Sequence, residues 1–407
     1  MTPRRRLLGA LPAEVAVLTA IAFSVAVGFG IVTPVIALYA REFGVGEVAA
    51  GAVVSVFAGM RLASALLGGR LVDRFDERSV LAAGLAIVAA SSLAAGTAQS
   101  YGQLLLMRGA GGIGSAMFTV SAFALMYRVV PADHRGRAAG MIQGGFLLGG
   151  ITGPAIGGLL AEISLRAPFF VYAGTLAVAT GIAWLALAPA SQARRARDGT
   201  EFPRPPVTSL RAALRSRAYQ AALVANLGTG WALFGIRSSL VPLYVADALG
   251  LGTSWVGVGF VVSAAVQALL LLPAGRFTDT VGRKPAMVAG GALAAASLGL
   301  LALWPSLAGF LVAMAAYGVG AALLGTAPAA VVGDVVGTRG GRVVAVSQMA
   351  SDAGAIVGPL VAGLLVQTGS YGLAFGVTAA VVGAGAVMAT TMPETRRTAS
   401  RPPAEAG

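Results

Sequence analysis

The sequence contains no cysteine and only one histidine, His134. Without cysteine the chain has neither a disulfide framework nor a thiolate metal site. A Gly-x-x-x-x-Gly-Lys-[Ser/Thr] loop is also absent, which argues against direct use of ATP. The sequence has no metal-ligand cluster, no nucleophile with a histidine partner and no large polar segment to hold an active site. The sequence therefore predicts no cofactor, no metal and no enzymatic activity.

Charged residues are scarce as well. They make up 11% of the 407 residues, whereas 57% are hydrophobic, and a typical soluble domain is about 25% charged. The apolar runs are roughly 20 residues long and do not alternate as the strands of a β-barrel do. Because lipid offers no hydrogen bonds to the backbone, such runs are expected to be helices. The composition predicts an all-α membrane protein.

Twelve transmembrane spans can be placed along the chain. Their predicted bounds are 15–39, 47–69, 79–98, 103–129, 138–162, 167–188, 219–246, 253–274, 285–304, 307–332, 342–367 and 371–391. A polar, Pro- and Arg-rich linker over 189–217 separates an N-terminal six-helix bundle, 1–188, from a C-terminal six-helix bundle, 218–395. Residues 396–407 form a tail.

The formal net charge of +13 has an explanation in topology. The basic residues concentrate in alternate connections, including 69–78, 189–217 and 275–284. Since basic loops stay on the cytoplasmic side, we expect a multi-pass protein of the cell membrane with both termini cytoplasmic. Nucleic acid is then not an expected partner. Arg4-Arg5-Arg6 before an apolar run also suits a signal peptide, but with no soluble domain following, we expect an uncleaved first helix.

The two halves repeat each other. A Gly-Arg-x-x-Asp sequence begins at Gly69 and again at Gly275, 206 positions later, and each copy lies between two apolar runs. Gly153-Pro154 recurs as Gly358-Pro359 at an offset of 205. We read each charged copy as a tight loop between two helices. Parallel repeats of this kind place a substrate path between two bundles, near the bilayer midplane.

These residues resemble the major facilitator superfamily over nearly the whole chain. The repeated loops are similar to its signature between helices two and three and to the weaker copy between eight and nine. Arg108 to Gly114 resembles its Arg-x-x-x-Gly-x-Gly signature, which is linked there to proton coupling. Gly149 to Gly158 is similar to the antiporter signature of the twelve-helix drug:proton efflux branch. The resemblance implies two pseudo-symmetric six-helix bundles and protons as the coupling ion.

The resemblance also implies that the repeated loops close the cytoplasmic side. The gating residues it indicates are Gly69, Asp73, Arg74, Gly275, Asp279, Gly282 and Arg283. Physically, Asp73 and Asp279 can cap a neighbouring helix N-terminus or pair with Arg74 or Arg283. Simple solvation of a loop is the alternative. The first copy departs from the pattern, because Asp76-Glu77 stands where Gly and Arg are usual, so we expect two unequal gates.

A helix-bend motif is expected in the fifth span. Gly145, Gly149, Gly153 and Gly157 recur every four residues and so line one helix face, which lets a neighbouring helix approach closely. Pro154 favours a bend because it lacks a backbone donor. Gly358 and Pro359 are the counterparts in the eleventh span. Close packing alone is the other interpretation.

Four ionisable residues lie well inside predicted spans and are not repeated between the halves: Arg61, Arg108, Arg237 and Asp352. Each costs roughly 2.5–3.5 kcal/mol at a helix centre, so each is expected to face a partner or a wet cavity. The motif favours Arg108 as a functional residue, which can lower the pKa of a nearby carboxylate or hold a substrate anion, with a buried structural pair as the alternative. Asp352 is the candidate proton carrier, with a permanent arginine partner as the alternative. Arg61 either points inward or snorkels, and Arg237 either faces the cavity or reaches the outer interface.

The sequence thus predicts a secondary active transporter. The favoured function is proton-coupled efflux of a small amphipathic molecule or metabolite by alternating access, by a monomer in the lipid bilayer. An excess of interior arginines favours neutral or anionic substrates. Uptake by symport or facilitation is one alternative, and a transport-inactive membrane receptor is another.

Overall fold

The computed structural model describes residues 11–33, 35–45, 47–187, 208–233, 240–241, 244–251, 253–337, 340–368 and 370–396. All regular secondary structure within these ranges is helical. Ten of the helices described are long and apolar enough to cross a membrane. The helices follow one another in the order of the twelve predicted spans, so the predicted all-α membrane fold is confirmed. The linker residues 188–207 and the tail from 397 onwards lie outside the described residues.

The first six spans form one bundle. Span 1 consists of the helices Ala13–Val32 and Ile36–Arg41, and the other five are Glu47–Arg74, Glu77–Gly96, Tyr101–Val129, Arg135–Ile163 and Ala167–Ala186.

The second bundle follows a short surface helix, Leu210–Arg215. Span 7 begins as Arg217–Gly230 and, beyond positions that are not described, ends in a π-helical turn, Tyr244–Ala248. Spans 8 and 9 are Thr253–Thr280 and Arg283–Leu303; span 10 consists of Leu307–Leu324 and Ala327–Val336; spans 11 and 12 are Gly341–Thr368 and Tyr371–Thr391.

Equivalent spans pack in the same way in both bundles. Span 1 lies against spans 5 and 6, span 4 against spans 2 and 3, and span 3 against span 6. The same pairs recur among spans 7 to 12, shifted by six. Between the bundles, span 2 packs against span 11 and span 5 against span 8. The two halves are therefore pseudo-symmetric, as the repeat predicted.

A buried tyrosine anchors the corresponding corner of each bundle. The Tyr39 hydroxyl donates to carbonyls near the end of span 3 at 3.2 Å, and its ring centroid lies 5.2 Å from that of Phe169. Tyr244, 205 positions later, donates to a carbonyl near the end of span 9 at 2.8 Å and lies 4.9 Å from Phe375. The repeat thus extends to individual side-chain contacts.

The charged repeats are not the loops that the sequence predicted. Gly69, Asp73 and Arg74 lie in the last turns of span 2, and Gly275 and Asp279 in those of span 8. The prediction of tight loops was wrong, because both helices continue through the charged residues and end at Arg74 and Thr280, and both glycines allow close helix packing. The connections are only two residues long, Phe75–Asp76 and Val281–Gly282. Gly282 has a φ of +147°, a conformation that favours glycine.

Spans 1 and 10 are interrupted, although each was predicted as one helix. The interruption in span 1 includes Pro34 in sequence, which itself lies outside the described residues. In span 10 the second helix begins just before Pro328. Proline lacks the backbone donor that a continuing helix requires, and it disfavours a helical conformation in the residue before it.

The glycine face of span 5 packs directly on span 1. A Cβ atom placed on Gly145, Gly149 or Gly153 would lie 2.5–2.6 Å from the carbonyl oxygens of Thr19, Phe23 and Val27, in that order. Gly157 continues this row against Ile31. Both helices thus contribute every fourth residue to the contact, and only glycine permits so close an approach.

The counterpart in span 11 is similar. Gly354 packs on the backbone of span 7 at Leu227 and Trp231, Gly358 is buried, and Pro359 lies inside the continuous helix. The side chain of Pro154 lies outside the described residues, so the bend that it favours stays a prediction.

We expect Gly153→Leu to abolish transport while leaving folded protein in the membrane. A larger side chain forces spans 1 and 5 apart, and such overpacking costs about 1–3 kcal/mol. Gly150→Leu is the matched control, because a Cβ on Gly150 meets nothing within 4 Å. Flux in proteoliposomes, normalised to folded protein, gives the comparison. Normal transport by Gly153→Leu would rule out a functional role for this packing.

Candidate functional site

A cross-bundle ion pair lies in the middle of the spans. Arg61 Nε of span 2 is 3.1 Å from Asp352 Oδ2 of span 11. Both side chains are partly shielded, at 29% and 15% exposure. Asp352 is ten residues into span 11 from Arg342, and Arg61 is twelve residues before Asp73, which places the pair about 15–18 Å from the ends of these helices. The pair therefore joins two helices that have to separate if the bundles part on this side.

Arg108 is buried without a carboxylate partner in the described part of the chain. It is 3% exposed, and its guanidinium carbon lies 4.5 Å from the centroid of the Phe57 ring. Its Nε is buried and has no hydrogen-bond partner. The ring face of Phe57 stabilises the cation. Arg237, the fourth interior charge of the sequence, lies outside the described residues.

Asp73 caps the first turn of span 11 from the opposite bundle. Its Oδ1 accepts a hydrogen bond from the Gly341 amide at 2.7 Å, and its Oδ2 lies 3.9 Å from Arg342 Nε. Gly69 permits the approach, since a Cβ there would lie 2.8 Å from the Gly341 carbonyl oxygen. The guanidinium of Arg74 instead lies over the Phe75 ring at 5.7 Å. We call this contact between spans 2 and 11 the first gate.

Asp279 caps the first turn of span 5 in the same way, again from the opposite bundle. Its two carboxylate oxygens accept from the amides of Gly136 at 2.8 Å and Arg137 at 3.1 Å, and the Arg137 Nε lies 3.3 Å away. A Cβ on Gly275 would lie 2.8 Å from Arg137 Cα. We call this contact the second gate. In both gates a carboxylate satisfies the free amides at a helix N-terminus and meets its positive dipole, each interaction worth about 0.3–2 kcal/mol.

The second gate extends into a larger charge cluster. Asp334, near the end of span 10, lies 3.0 Å from Arg283 and 3.3 Å from Arg135 of the first bundle. Arg283 is 3.8 Å from Asp279 and also donates to the Ala132 carbonyl of the first bundle. All of these side chains are at least four-fifths buried. Groups of the second bundle thus both donate hydrogen bonds to the first bundle and accept them from it.

The ion pair that corresponds to Arg283–Asp334 in the first half stays within the first bundle. Glu77, at the start of span 3, lies 2.6 Å from Arg128 of span 4, and Asp76 lies 3.7 Å from the same arginine. This arrangement agrees with the expectation of unequal gates from the sequence departure at Asp76-Glu77.

The structure thus brings the sequence candidates together in two places. Arg61 and Asp352 form the central pair, while Gly69, Asp73, Gly275, Asp279 and Arg283 belong to the gates at one end, which we call the basic end. Sequence reasoning missed Arg135, Gly136 and Gly341 as gate partners. The repeat held a signal for the last two, because Gly136 and Gly341 are 205 positions apart, as are the other landmarks.

Comparison with known proteins agrees with this architecture. The profile of the Major Facilitator Superfamily matches residues 18–266 and 236–407. Multidrug resistance protein 1 of Bacillus subtilis (strain 168) is 26% identical over 344 residues, which cover 83% of this chain and 86% of that protein. Quinolone resistance protein NorA of Staphylococcus aureus (strain MRSA252) is 29% identical over 156 residues. That match covers 38% of this chain and only 40% of NorA.

Two solved structures share the fold. The human organic anion transporter MFSD10 (TETRAN) superposes with a TM-score of 0.74 at 16% identity, covering 96% of this chain and 100% of that one. The proton:xylose symporter XylE gives a TM-score of 0.73 at 15% identity, covering 94% and 97%. Together with the paired bundles and the repeated gates, the profile match over most of the sequence shows that the chain belongs to the major facilitator superfamily of transporters.

Proposed function

We propose that this transporter exports a small amphipathic, neutral or anionic molecule in exchange for protons. The observation that carries the proposal is the ion pair between Arg61 and Asp352, which spans the two bundles at mid-depth. Among the described residues, Asp352 is the only carboxylate at this depth of the spans. The other acids of the spans lie near the helix ends.

The pair offers a physical link between a proton and the movement of the bundles. While Asp352 is charged, its attraction to Arg61 holds span 11 against span 2. When Asp352 takes up a proton, that attraction is lost and the basic end opens more readily. A carboxylate that is reached from one side in each conformation can therefore carry a proton across as access alternates.

Substrate charge is inferred from the arginines. Arg108 keeps an unpartnered Nε in a buried position beside an aromatic ring. Arg61 becomes free when Asp352 is neutral. An anionic or polar group on the substrate stabilises such cations, and an apolar body suits the hydrophobic spans. A permanently cationic substrate is disfavoured.

Export is supported by the relatives. Two of them carry names that refer to quinolone or multidrug resistance, and resistance by a transporter implies removal of the compound from the cell. The distribution of basic residues supports a basic end in the cytoplasm. If the basic end is cytoplasmic, the closed gates correspond to the outward-facing conformation of the transporter.

Flux measurements at two pH values test the function. In proteoliposomes with an imposed pH gradient, we expect a fluorescent amphipathic anion to move against the proton flow. A gradient of two pH units drives at most about 100-fold accumulation for a one-to-one exchange. Movement along the proton flow would show symport instead. No flux of a broad panel of dyes and metabolites under any gradient would favour the receptor alternative.

Asp352→Asn tests the proton carrier. The amide cannot release a proton in this range, so gradient-driven accumulation should fall from up to about 100-fold to about 1, while substrate counterflow without a gradient persists. Asp247→Asn is the matched control, because Asp247 lies at the other end of the bundle, bonded to Tyr371, and should retain both activities. Undiminished accumulation by Asp352→Asn would show that another group carries the proton.

A further inference from the structure

An aromatic ring of span 2 covers the buried cation of span 4. The guanidinium carbon of Arg108 lies 4.5 Å from the centroid of the Phe57 ring, and the two side chains are 3% and 7% exposed. A second ring continues the stack, because the ring centroids of Phe57 and Phe29 are 6.0 Å apart. Phe29, in span 1, is 37% exposed. The stack therefore runs from an exposed ring to a buried charge.

The stack lies beside the central ion pair. Phe57 and Arg61 are four residues apart in span 2, so their side chains share one face of that helix. From this face Arg61 reaches Asp352 of the opposite bundle. Since Phe29 is exposed and Arg108 is not, a molecule between the bundles meets the rings before it meets the cation.

Span 4 fixes the backbone of Phe57 more firmly than its ring. Gly112 packs directly on the Phe57 carbonyl, so the two helices are in backbone contact there. The Phe57 ring lies against Gly111, where a Cβ atom would be 3.3 Å from Cε2. Because glycine has no side chain to enclose the ring, a turn of the Phe57 side chain uncovers Arg108 without separating the helices.

The repeat did not copy the stack. The positions 206 residues after Phe57, Arg108 and Gly111 hold Ser263, Met314 and Tyr317. All three counterparts are buried, at 1–8% exposure. The second bundle thus has the same helix pair without a cation and without a ring at the position of Phe57. A feature of one half only is not needed for the fold that both halves share.

The ring and an anion compete for the same cation. A ring face stabilises a buried arginine through its π electrons, whereas a carboxylate offers stronger, charge-assisted hydrogen bonds. Arg108 Nε is buried and has no hydrogen-bond partner among the described residues, so it is a donor that the ring leaves unsatisfied. In the absence of an anion the ring stabilises the cation, and an anion that reaches Arg108 has to displace the ring.

We propose that the Phe57 ring is a lid on Arg108 that an anionic group of the substrate displaces. Phe57 is then a specificity-determining residue, because anionic molecules have to lift the ring and neutral ones do not. The lid rests on the proposed function in one respect, namely that the transporter accepts amphipathic anions as well as neutral molecules. It needs neither the export direction nor the coupling ion.

Binding of two matched dyes tests the lid: a fluorescent amphipathic carboxylate and its neutral methyl ester. Phe57→Leu removes the ring but keeps an apolar side chain, so the purified transporter should bind the carboxylate about tenfold more tightly relative to the ester. Phe57→Met, which fills more of the volume, should give the same shift. Phe57→Tyr retains a ring face and should keep the wild-type ratio. Fluorescence anisotropy without a gradient gives both dissociation constants.

Arg108→Met, which installs the residue of the second half, completes a double-mutant cycle. In this background Phe57→Leu should leave the ratio of the two affinities unchanged, because there is no cation to uncover. Phe118→Leu is the matched control. Phe118 is a buried phenylalanine of span 4 that contacts Phe146, with no arginine over its ring in the described part of the chain, and its loss should not alter the ratio.

Phenylglyoxal, which modifies accessible arginines, gives a measurement without any substrate. Mass spectrometry should show Arg108 modified about three- to tenfold faster in Phe57→Leu but not in Phe118→Leu, with the exposed Arg342 as the internal reference. Unchanged modification of Arg108, or an unchanged dye ratio in Phe57→Leu, would overturn the lid. A failure of the proposed export would appear in the flux measurements and would leave both of these results as expected.

Discussion

Capping of a helix by a carboxylate from the opposite bundle is the interaction on which the closed basic end depends. Asp73 and Asp279 each satisfy amides that have no partner within their own helix. A buried helix end without such partners is unfavourable, so the bundles stabilise each other where they meet. The contact also tolerates breakage, since separation exposes both groups to water, which can replace the hydrogen bonds. An interaction that is strong when buried and replaceable when wet suits a gate that opens repeatedly.

The two gates share this contact but differ around it. The first gate includes a long contact between Asp73 and Arg342 beside its capping bond, whereas the second is embedded in a cluster of buried charges that crosses the interface. In the first half, the ion pair of Glu77 with Arg128 stays inside its own bundle, whereas Asp334 of the second half reaches Arg135 of the first bundle. The Arg61–Asp352 pair lies deeper in the spans than both gates.

Much of the fold could be predicted because it follows from composition and repetition. The apolar runs gave helices close to those observed, and the offset of 205 to 206 gave the pseudo-symmetry down to Tyr39 and Tyr244. The gates were only partly predictable. Capping of a neighbouring helix was one of the possibilities that the sequence left open for Asp73 and Asp279. Gly69 and Gly275 were assigned to loops, since a sequence does not distinguish a glycine that ends a helix from one that admits a neighbour. The partnership of Arg61 with Asp352, 291 positions apart, depends on the packing of span 2 against span 11, which no local pattern encodes.

Span 5 joins two of these features along a single helix. Its first turn is capped by Asp279 of the second bundle, and its glycine face further along is fixed to span 1. At about 1.5 Å per residue, this 29-residue helix is about 43 Å long. It therefore connects the two contacts mechanically: because the glycine face packs backbone to backbone on span 1, any displacement of span 5 at its capped end has to be shared by span 1.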